Sequence, residues 1–503
     1  MSTEQAVAVQ ASDSTADNAA SEIGALMDEV LALRDQVATD GAALMGRFGR
    51  SDHDAAIGNL AHYMSLRHRD LRPLQHRLMW RGLSSLGRIE SRVLPTLDAV
   101  LCALAAMAGR QSPHPAPSEA AFFAGELRLA NATDHLFGVP RQGRRSRIMV
   151  TLPSEAATDR EVVFDLARRG MDIARINCAH DDHLAWRAMA ANVRAAGEFV
   201  ARRLTILMDI AGPKIRTETI VAPGSGVRLM AGDAFRLVAK AEPYGTEEVP
   251  FCAAVSLPEM VNRLSVGDRL RYDDGKLEGT VESVGDGEAI IRVARTKAGG
   301  TKLKSEKGIN LPDTALGLSP LTDKDERDLA TVVECADMVG YSFVSRPDDI
   351  DLLEEALARQ GKPGHPIGLV AKIERPEAVK NLPDLIARAS GRRPFAVMIA
   401  RGDLAAEIGF ERLAEMQEEI LWICEAAGVP AIWATQVLEE LVKHGVPSRG
   451  EMTDAAMAGR AECVMLNKGP EVGAAVDVLD RLLTRMDAHV FKKTSRMRAL
   501  KSW

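Results

Sequence analysis

The sequence predicts an α/β chain: a (β/α)8 TIM barrel with a small all-β domain inserted after its third strand, preceded by an α-helical N-terminal extension. Three observations lead there. Short apolar runs recur at residues 148–152, 173–176, 204–208, 338–344, 368–373, 396–400, 431–434 and 463–466, most of them separated by segments of helical periodicity. Eight such runs are what a closed parallel barrel needs. One interval is too long for a βα unit, since about 130 residues separate the third run from the fourth. Within 218–305 that interval carries Gly-punctuated short strands at 227–229, 235–238, 269–273 and 289–293, which read as an inserted β domain. Before Arg147 the pattern is helical instead.

Taken in order, residues 1–20 are rich in Ala, Ser, Asp and Thr and are expected to form a disordered tail. The helical extension covers 21–145. Ile23, Met27, Val30, Leu31 and Leu33 fall near helical spacing, and further helices are expected over 53–70, 73–91 and 94–108. The run QSPHPAPS at 111–118 reads as a linker. The barrel occupies 146–217 and 306–487, with 218–305 as an inserted β-barrel that acts as a lid and excludes water. The last barrel helix is expected at 472–486. A tail at 488–503 leaves no room for a further domain.

Composition narrows the function classes. The chain has 503 residues and is 46% hydrophobic, enough for an ample core. A formal net charge of −7 argues against a mainly nucleic-acid-binding protein. The local exception is the run Arg67, Arg69, Arg72, Arg77, Arg81, Arg88 and Arg92. Its simplest account is a solvated helical face; a partner-docking module or an oligomerisation element are the alternatives. None of the six cysteines is in a CxxC pair, so zinc and disulfide frameworks are not expected and a reducing cytoplasmic setting fits. The first 21 residues lack the basic and apolar regions of a leader, and the longest apolar stretch, near 100–108, is far short of a membrane span.

Charge gathers where the apolar runs end. Lys372 and Glu374 alternate with Ile373 at one strand end, so both can face a barrel mouth. Arg401, Gly402 and Asp403 follow the next run, and glycine there permits close backbone approach to a ligand. A lysine with two carboxylates suits Mg²⁺ together with a phosphate or an enolate. The bland accounts are an ion pair for Lys372 with Glu374 and a helix cap for Asp403. Arg175 and Asn177 end the second run, where a guanidinium could match a phosphate in two-point fashion. No Walker A or Rossmann glycine fingerprint is present.

The ordered pieces are GMDIARIN at 170–177, MD at 208–209 with GPKIRT at 212–217, YDDG at 272–275, KGINLP at 307–312, KIE at 372–374, ARGDL at 400–404, ATQ at 434–436 and RGE at 449–451. In this order they resemble the pyruvate kinase family, from about 147 to 487. The resemblance implies a phosphotransferase acting on phosphoenolpyruvate and ADP to give pyruvate and ATP, with Mg²⁺ or Mn²⁺ as cofactor, and a homo-oligomer. It implies Lys372 as the catalytic lysine, Glu374 and Asp403 as metal carboxylates, and Arg175 as the phosphate clamp. Thr435 is implied in protonating the enolate by relay from water. Asn177, Arg216, Lys307 and Gly402 are implied as substrate or nucleotide contacts, His180 near the nucleotide, and Ser342 with Phe343 near the substrate.

Three departures stand out. Many family members hold K⁺ through Asn, Ser, Asp and Thr; here those positions read Asn177, Ala179, Asp209 and Ile210, and Lys214 replaces the familiar glutamate of GPEIRT. An ammonium supplies the same single charge, so K⁺ is not expected to be required. The eighth run continues as Asn467, Lys468, Gly469 and Pro470 where the family has Ser-Gly-Glu. That alters the nucleotide side and keeps open a different Mg²⁺-dependent enolate reaction, such as a lyase, or a non-catalytic barrel protein. The family's C-terminal effector domain has no counterpart, so regulation through it is not expected.

Overall fold

The structure is a computed structural model and describes residues 3–50, 54–239, 242–314, 317–361 and 366–495. The N-terminal region forms α1 (Thr3–Arg47), α2 (Ala55–Arg67), α3 (Arg72–Trp80), α4 (Val93–Ala108) and α5 (Glu119–Phe137). The barrel opens with β1 (Arg147–Thr151), α6 (Arg160–Arg169), β2 (Ile173–Asn177), α7 (His183–Phe199) and β3 (Thr205–Asp209). The inserted strands are β4 (Thr217–Val221), β5 (Ala234–Val238), β6 (Phe251–Val255), β7 (Arg269–Tyr272), β8 (Leu277–Gly285), β9 (Glu288–Thr296) and β10 (Ile309–Asn310). The barrel resumes with α8 (Asp323–Cys335), β11 (Met338–Tyr341), α9 (Pro347–Arg359), β12 (Gly368–Ile373), α10 (Pro376–Lys380), α11 (Leu382–Ala389), β13 (Phe395–Ala400), α12 (Arg401–Ile408) and α13 (Phe410–Ala427). It ends with β14 (Ala431–Ala434), α14 (Glu439–His444), α15 (Arg449–Ala458), β15 (Cys463–Leu466) and α16 (Val472–Asp487), followed by the hairpin β16 (Val490–Phe491) and β17 (Thr494–Ser495).

Eight parallel strands close in the order β1-β15-β14-β13-β12-β11-β3-β2. They are buried on both faces, which is why they read as continuous apolar runs. Alternate residues point opposite ways. Met149, Ile173, Leu207, Met338, Val370, Met398, Ile432 and Met465 fill the interior, while Ile148, Ile206, Leu369, Ile399, Trp433 and Val464 pack against the helices. Leu136 and Phe137, at the end of α5, join the interior cluster and plug the floor of the barrel. Gly368 leaves them room, since a Cβ there would lie 2.3 Å from Leu136 Cδ1.

The two additions to the barrel differ in kind. The helical extension has no core of its own: Leu26, Val30, Ile57, Leu60, Leu97 and Leu101 belong to the same buried cluster as Ile420, Leu421 and Cys424 of α13. Buried Asn59 fixes the joint, donating to the carbonyls of Glu90 (2.7 Å) and Ala426 (2.8 Å) and accepting from Val93 N (2.9 Å). The inserted strands form a separate sheet, β10-β7-β8-β9-β5-β6-β4, over its own core of Phe235, Leu237, Leu270, Tyr272 and Ile291. No described helix is long and apolar enough to cross a membrane.

Several elements differ from expectation. The segment expected as a tail over 1–20 carries helical backbone from Thr3 onward. The helix expected over 73–91 stops at Trp80, because Gly82 takes φ +71° and Leu86 φ +57°. Helix α5 was not placed as a separate element. In the insert, the segments leading into the end strands β4 and β10 are themselves joined by a bridge between Arg216 and Gly308, with Ile309 N donating to the Ile215 carbonyl at 2.9 Å. Of the run at 227–229, Leu229 makes an isolated bridge to Thr301. Residues 488–495, expected as tail, include the β16–β17 hairpin, and 496–503 lie outside the described residues.

Candidate active site

The interior stripe of the barrel turns from apolar to charged at the C-terminal end of its strands. Two residues beyond Ile173 comes Arg175, beyond Leu207 comes Asp209, beyond Val370 come Lys372 and then Glu374, and beyond Met465 comes Asn467. The period of two that fills the core therefore also aims these side chains into the mouth. They surround a cavity of about 260 Å³, lined among others by Arg175, Asn177, Lys214, Arg216, Lys372 and Glu374, with Gly402, Asp403 and Thr435 on the far wall.

Asp209 is the hub of its floor. It accepts from Arg175 Nε (2.9 Å) and Nη2 (2.5 Å) and lies 3.2 Å from Lys372 Nζ. Burial opposes its charge, but Lys372 and Arg175 outweigh that and hold its pKa below the ordinary aspartate range. Gly340 makes this fit, since a Cβ there would stand 2.9 Å from Asp209 Oδ1. Arg175 Nη1 also donates to Thr151 Oγ1 (3.0 Å). Lys372 Nζ donates to Ser342 Oγ (2.7 Å) and lies 3.0 Å from Glu374 Oε1. Burial works against its charge too, and Asp209 and Glu374 keep its pKa raised. Glu374 accepts from the backbone N–H of Phe343 (2.6 Å). Burial, joined by the nearby charge of Asp403, pushes its pKa up despite Lys372.

The opposite wall is built by the ends of β13 and β14. Arg401 is buried and forks onto Asp454 (2.6 and 2.9 Å). The same guanidinium donates to the carbonyls of Ala434 (3.1 Å) and Thr435 (2.6 Å). Thr435 holds φ +67° and accepts from Gly402 N at 2.7 Å. Asp403 is held by Lys214, whose Nζ lies 2.8 and 3.1 Å from its two oxygens.

The remaining sequence candidates are less central. Asn177 Oδ1 accepts from Ala179 N (3.2 Å) and lines the cavity. Lys214 lines it too, but its partner is Asp403 rather than Asp209. Arg216 has only a long contact to Glu306, at 3.9 Å, among the ion pairs of the described residues. Lys307 pairs with Asp273 (3.2 Å), and neither it nor His180 lines the cavity. Burial, then the charges of Lys468 and Arg216, lower the His180 pKa against the opposing charge of Asp181. Sequence reasoning gave no role to Thr151, to Asp454 or to Asp274. The last lines the cavity, with its pKa raised by burial. Only the YDDG motif pointed toward Asp274, and nothing local marks Asp454 as the partner of Arg401.

A closed parallel barrel with a lysine, an arginine and paired carboxylates at its C-terminal mouth, and a β insert beside it, defines the class. Comparisons with known proteins narrow it. The pyruvate kinase barrel domain model matches residues 143–474. The chain is 32% identical to pyruvate kinase 2 of Synechocystis over 68% of its length and 57% of that enzyme. It is 30% identical to pyruvate kinase of Mycobacterium intracellulare, over 68% of its length and 70% of that enzyme. A crystal structure of a pyruvate kinase from Cryptosporidium parvum superposes with a TM-score of 0.61 at 27% identity, over 71% of this chain and 73% of that one. The chain belongs to the pyruvate kinase family. The match spans little more than half the length of the Synechocystis relative.

Proposed function

We propose that the chain transfers the phosphoryl group of phosphoenolpyruvate to ADP, giving pyruvate and ATP. The observation that carries this is Lys372, flanked by Glu374 and Asp209 and facing the same cavity as Arg175. Arg175 would grip the phosphoryl group in two-point fashion. Lys372 would stabilise negative charge on that group in flight and on the enolate oxygen it leaves behind. Thr435, fixed by Gly402 N, would relay a proton from water to the enolate carbon. The inserted sheet would serve as the lid that keeps bulk water out.

The donor set fits a hard divalent cation. Among the described residues no group of three His, Cys, Asp or Glu could hold a metal. Two carboxylates facing one cavity, buried Glu374 and partly buried Asp403, are what Mg²⁺ uses when substrate and water supply its other ligands. Bound there, Mg²⁺ or Mn²⁺ would neutralise charge on the phosphoryl and enolate oxygens. Lys214 adds a positive charge to the cavity, and Ala179 and Ile210 offer no side-chain oxygen for K⁺. Activity is therefore expected without K⁺.

Coupled pyruvate formation from phosphoenolpyruvate, ADP and Mg²⁺ tests the reading. Wild type is expected to turn over, with K⁺ changing the rate by no more than about twofold. Lys372→Ala is expected to lose about 10³-fold or more. No turnover with any nucleoside diphosphate would overturn the assignment and favour another enolate reaction. Strong activation by K⁺ would overturn the cation argument alone.

A further inference from the structure

Lys214 makes a contact that the proposed reaction leaves unexplained. It lies in the short segment that carries the chain from β3 into the inserted sheet, yet its ammonium spans both oxygens of Asp403 on the barrel, at 2.8 and 3.1 Å. Its side chain is 26% exposed and that of Asp403 16%, so the pair is largely shielded. Gly308, on the returning segment, makes space for the lysine stem: a Cβ there would stand 3.2 Å from Lys214 Cε. Two more contacts tie the same sheet to the same helix. Arg271 of β7 donates to the carbonyls of Ala405 (3.3 Å) and Ala406 (2.6 Å), and Asn310 of β10 donates to Glu407 (3.1 Å). The insert is thus docked on α12, the helix whose first turn carries Asp403.

We propose that Lys214 is the built-in counter-ion of Asp403, occupying this carboxylate until a divalent cation takes it. The proposal rests on the metal reading of Glu374 and Asp403. A buried carboxylate without a partner is costly, and the ammonium removes that cost in the metal-free protein. A cation and an ammonium cannot both sit on the two oxygens that Lys214 now spans, so one displaces the other. Affinity for the cation is then lowered by the exchange. Lys214 lines the same cavity as Arg175 and Lys372, so the freed ammonium would add to their positive charge there.

The test measures Mn²⁺ binding by calorimetry, with neither phosphoenolpyruvate nor nucleotide present, alongside thermal unfolding with and without Mn²⁺. Lys214→Met is expected to bind Mn²⁺ about tenfold tighter than wild type. Its metal-free form is expected to melt about 2 °C or more below wild type, with saturating Mn²⁺ closing the gap. Lys214→Arg, which keeps the charge and can still reach a carboxylate, is expected to stay within about threefold of wild type in affinity. It also covers the case in which the methionine variant does not fold. Unchanged or weaker Mn²⁺ binding by Lys214→Met overturns the proposal. So does a metal-free Lys214→Met that melts at or above wild type, because simple charge repulsion on the metal would leave Asp403 no worse off. An arginine variant that binds as tightly as the methionine variant is expected to do overturns it as well. Mn²⁺ bound by neither wild type nor variant overturns the metal reading and the proposal with it, whereas the pyruvate assay reports separately on the reaction.

Discussion

Thr435 sits at φ +67°, a conformation that a β-branched side chain adopts only when its surroundings enforce it. Gln436 (φ +56°) and Leu438 (φ +50°) continue the irregular turn. The enforcement is visible. Arg401 donates to the carbonyls of Ala434 and Thr435 while Asp454 grips its other edge, and Gly402 N holds the threonine hydroxyl. Strain held this firmly beside a cavity is the kind that positions a reacting group. Thr435→Ser keeps the hydroxyl and is expected to retain activity within about fivefold, whereas Thr435→Val is expected to lower kcat about 10²-fold with little change in KM. Steady-state kinetics of the two variants check this; equal kcat for both would remove the threonine from the chemistry. At this scale the sequence was informative about identity and blind to pairing. Lys372, Glu374, Arg175 and Asp403 were all legible because they end apolar runs. That Asp209 would join Arg175 to Lys372, or that Lys214 would reach Asp403, depends on residues far apart in the chain meeting in space.

Helix α5 shows why an element can be more than its local pattern. It follows a Pro-rich stretch within the helical extension and was not singled out by its own pattern, yet its last residues form the barrel floor. Gly125 lies inside it, where glycine normally costs up to about 1 kcal/mol relative to alanine. The reason is close packing: a Cβ at 125 would stand 2.0 Å from the carbonyl oxygen of Ser91, just before α4. The usual sign of a Gly→Ala change in a helix is therefore reversed. Gly125→Ala is expected to lower stability by about 2–3 kcal/mol, read by denaturant unfolding, with the proposed activity of the folded fraction unchanged. A stabilised variant would show that α5 packs otherwise. The barrel strands were legible because both faces are buried and the runs are continuous. The insert was legible as β structure from glycine spacing, but not its strand order, because pairings such as β5 with β9 and β7 with β10 are not local.

At the scale of the molecule, the extension, α13 and the C-terminal hairpin meet around a partly buried acid. Glu425 of α13 is surrounded by Glu90 from the extension, Lys492 and Lys493 from the hairpin, and Glu462 before β15. Lys493 pairs with Glu90, and Lys492 with Glu462. Burial is the main cause that raises the Glu425 pKa from 4.5 to about 7; Lys492 opposes it, and Glu90 and Glu462 add to it. Between those values the folded chain holds a proton that the unfolded chain has released. Stability contributed by this group is thus full below about pH 4.5 and falls as pH rises toward 7, by on the order of 2–3 kcal/mol. Glu425→Gln is expected to flatten this part of the pH dependence. Unfolding midpoints of both proteins across pH 5–8 check it, and parallel curves would dismiss the group as a source of the slope.

By itself the sequence determined the barrel, the place of the insert, the presence of a helical extension and the residue types that end each strand. These follow from periodicity and from turn chemistry, which are properties of neighbouring residues. The tertiary structure alone decided that the extension shares the barrel's core, that α5 closes its floor, and that the insert docks on α12 through Lys214, Arg271 and Asn310. Those outcomes depend on shape and charge complementarity between segments more than a hundred residues apart for the most part, and no local pattern encodes which surfaces will meet.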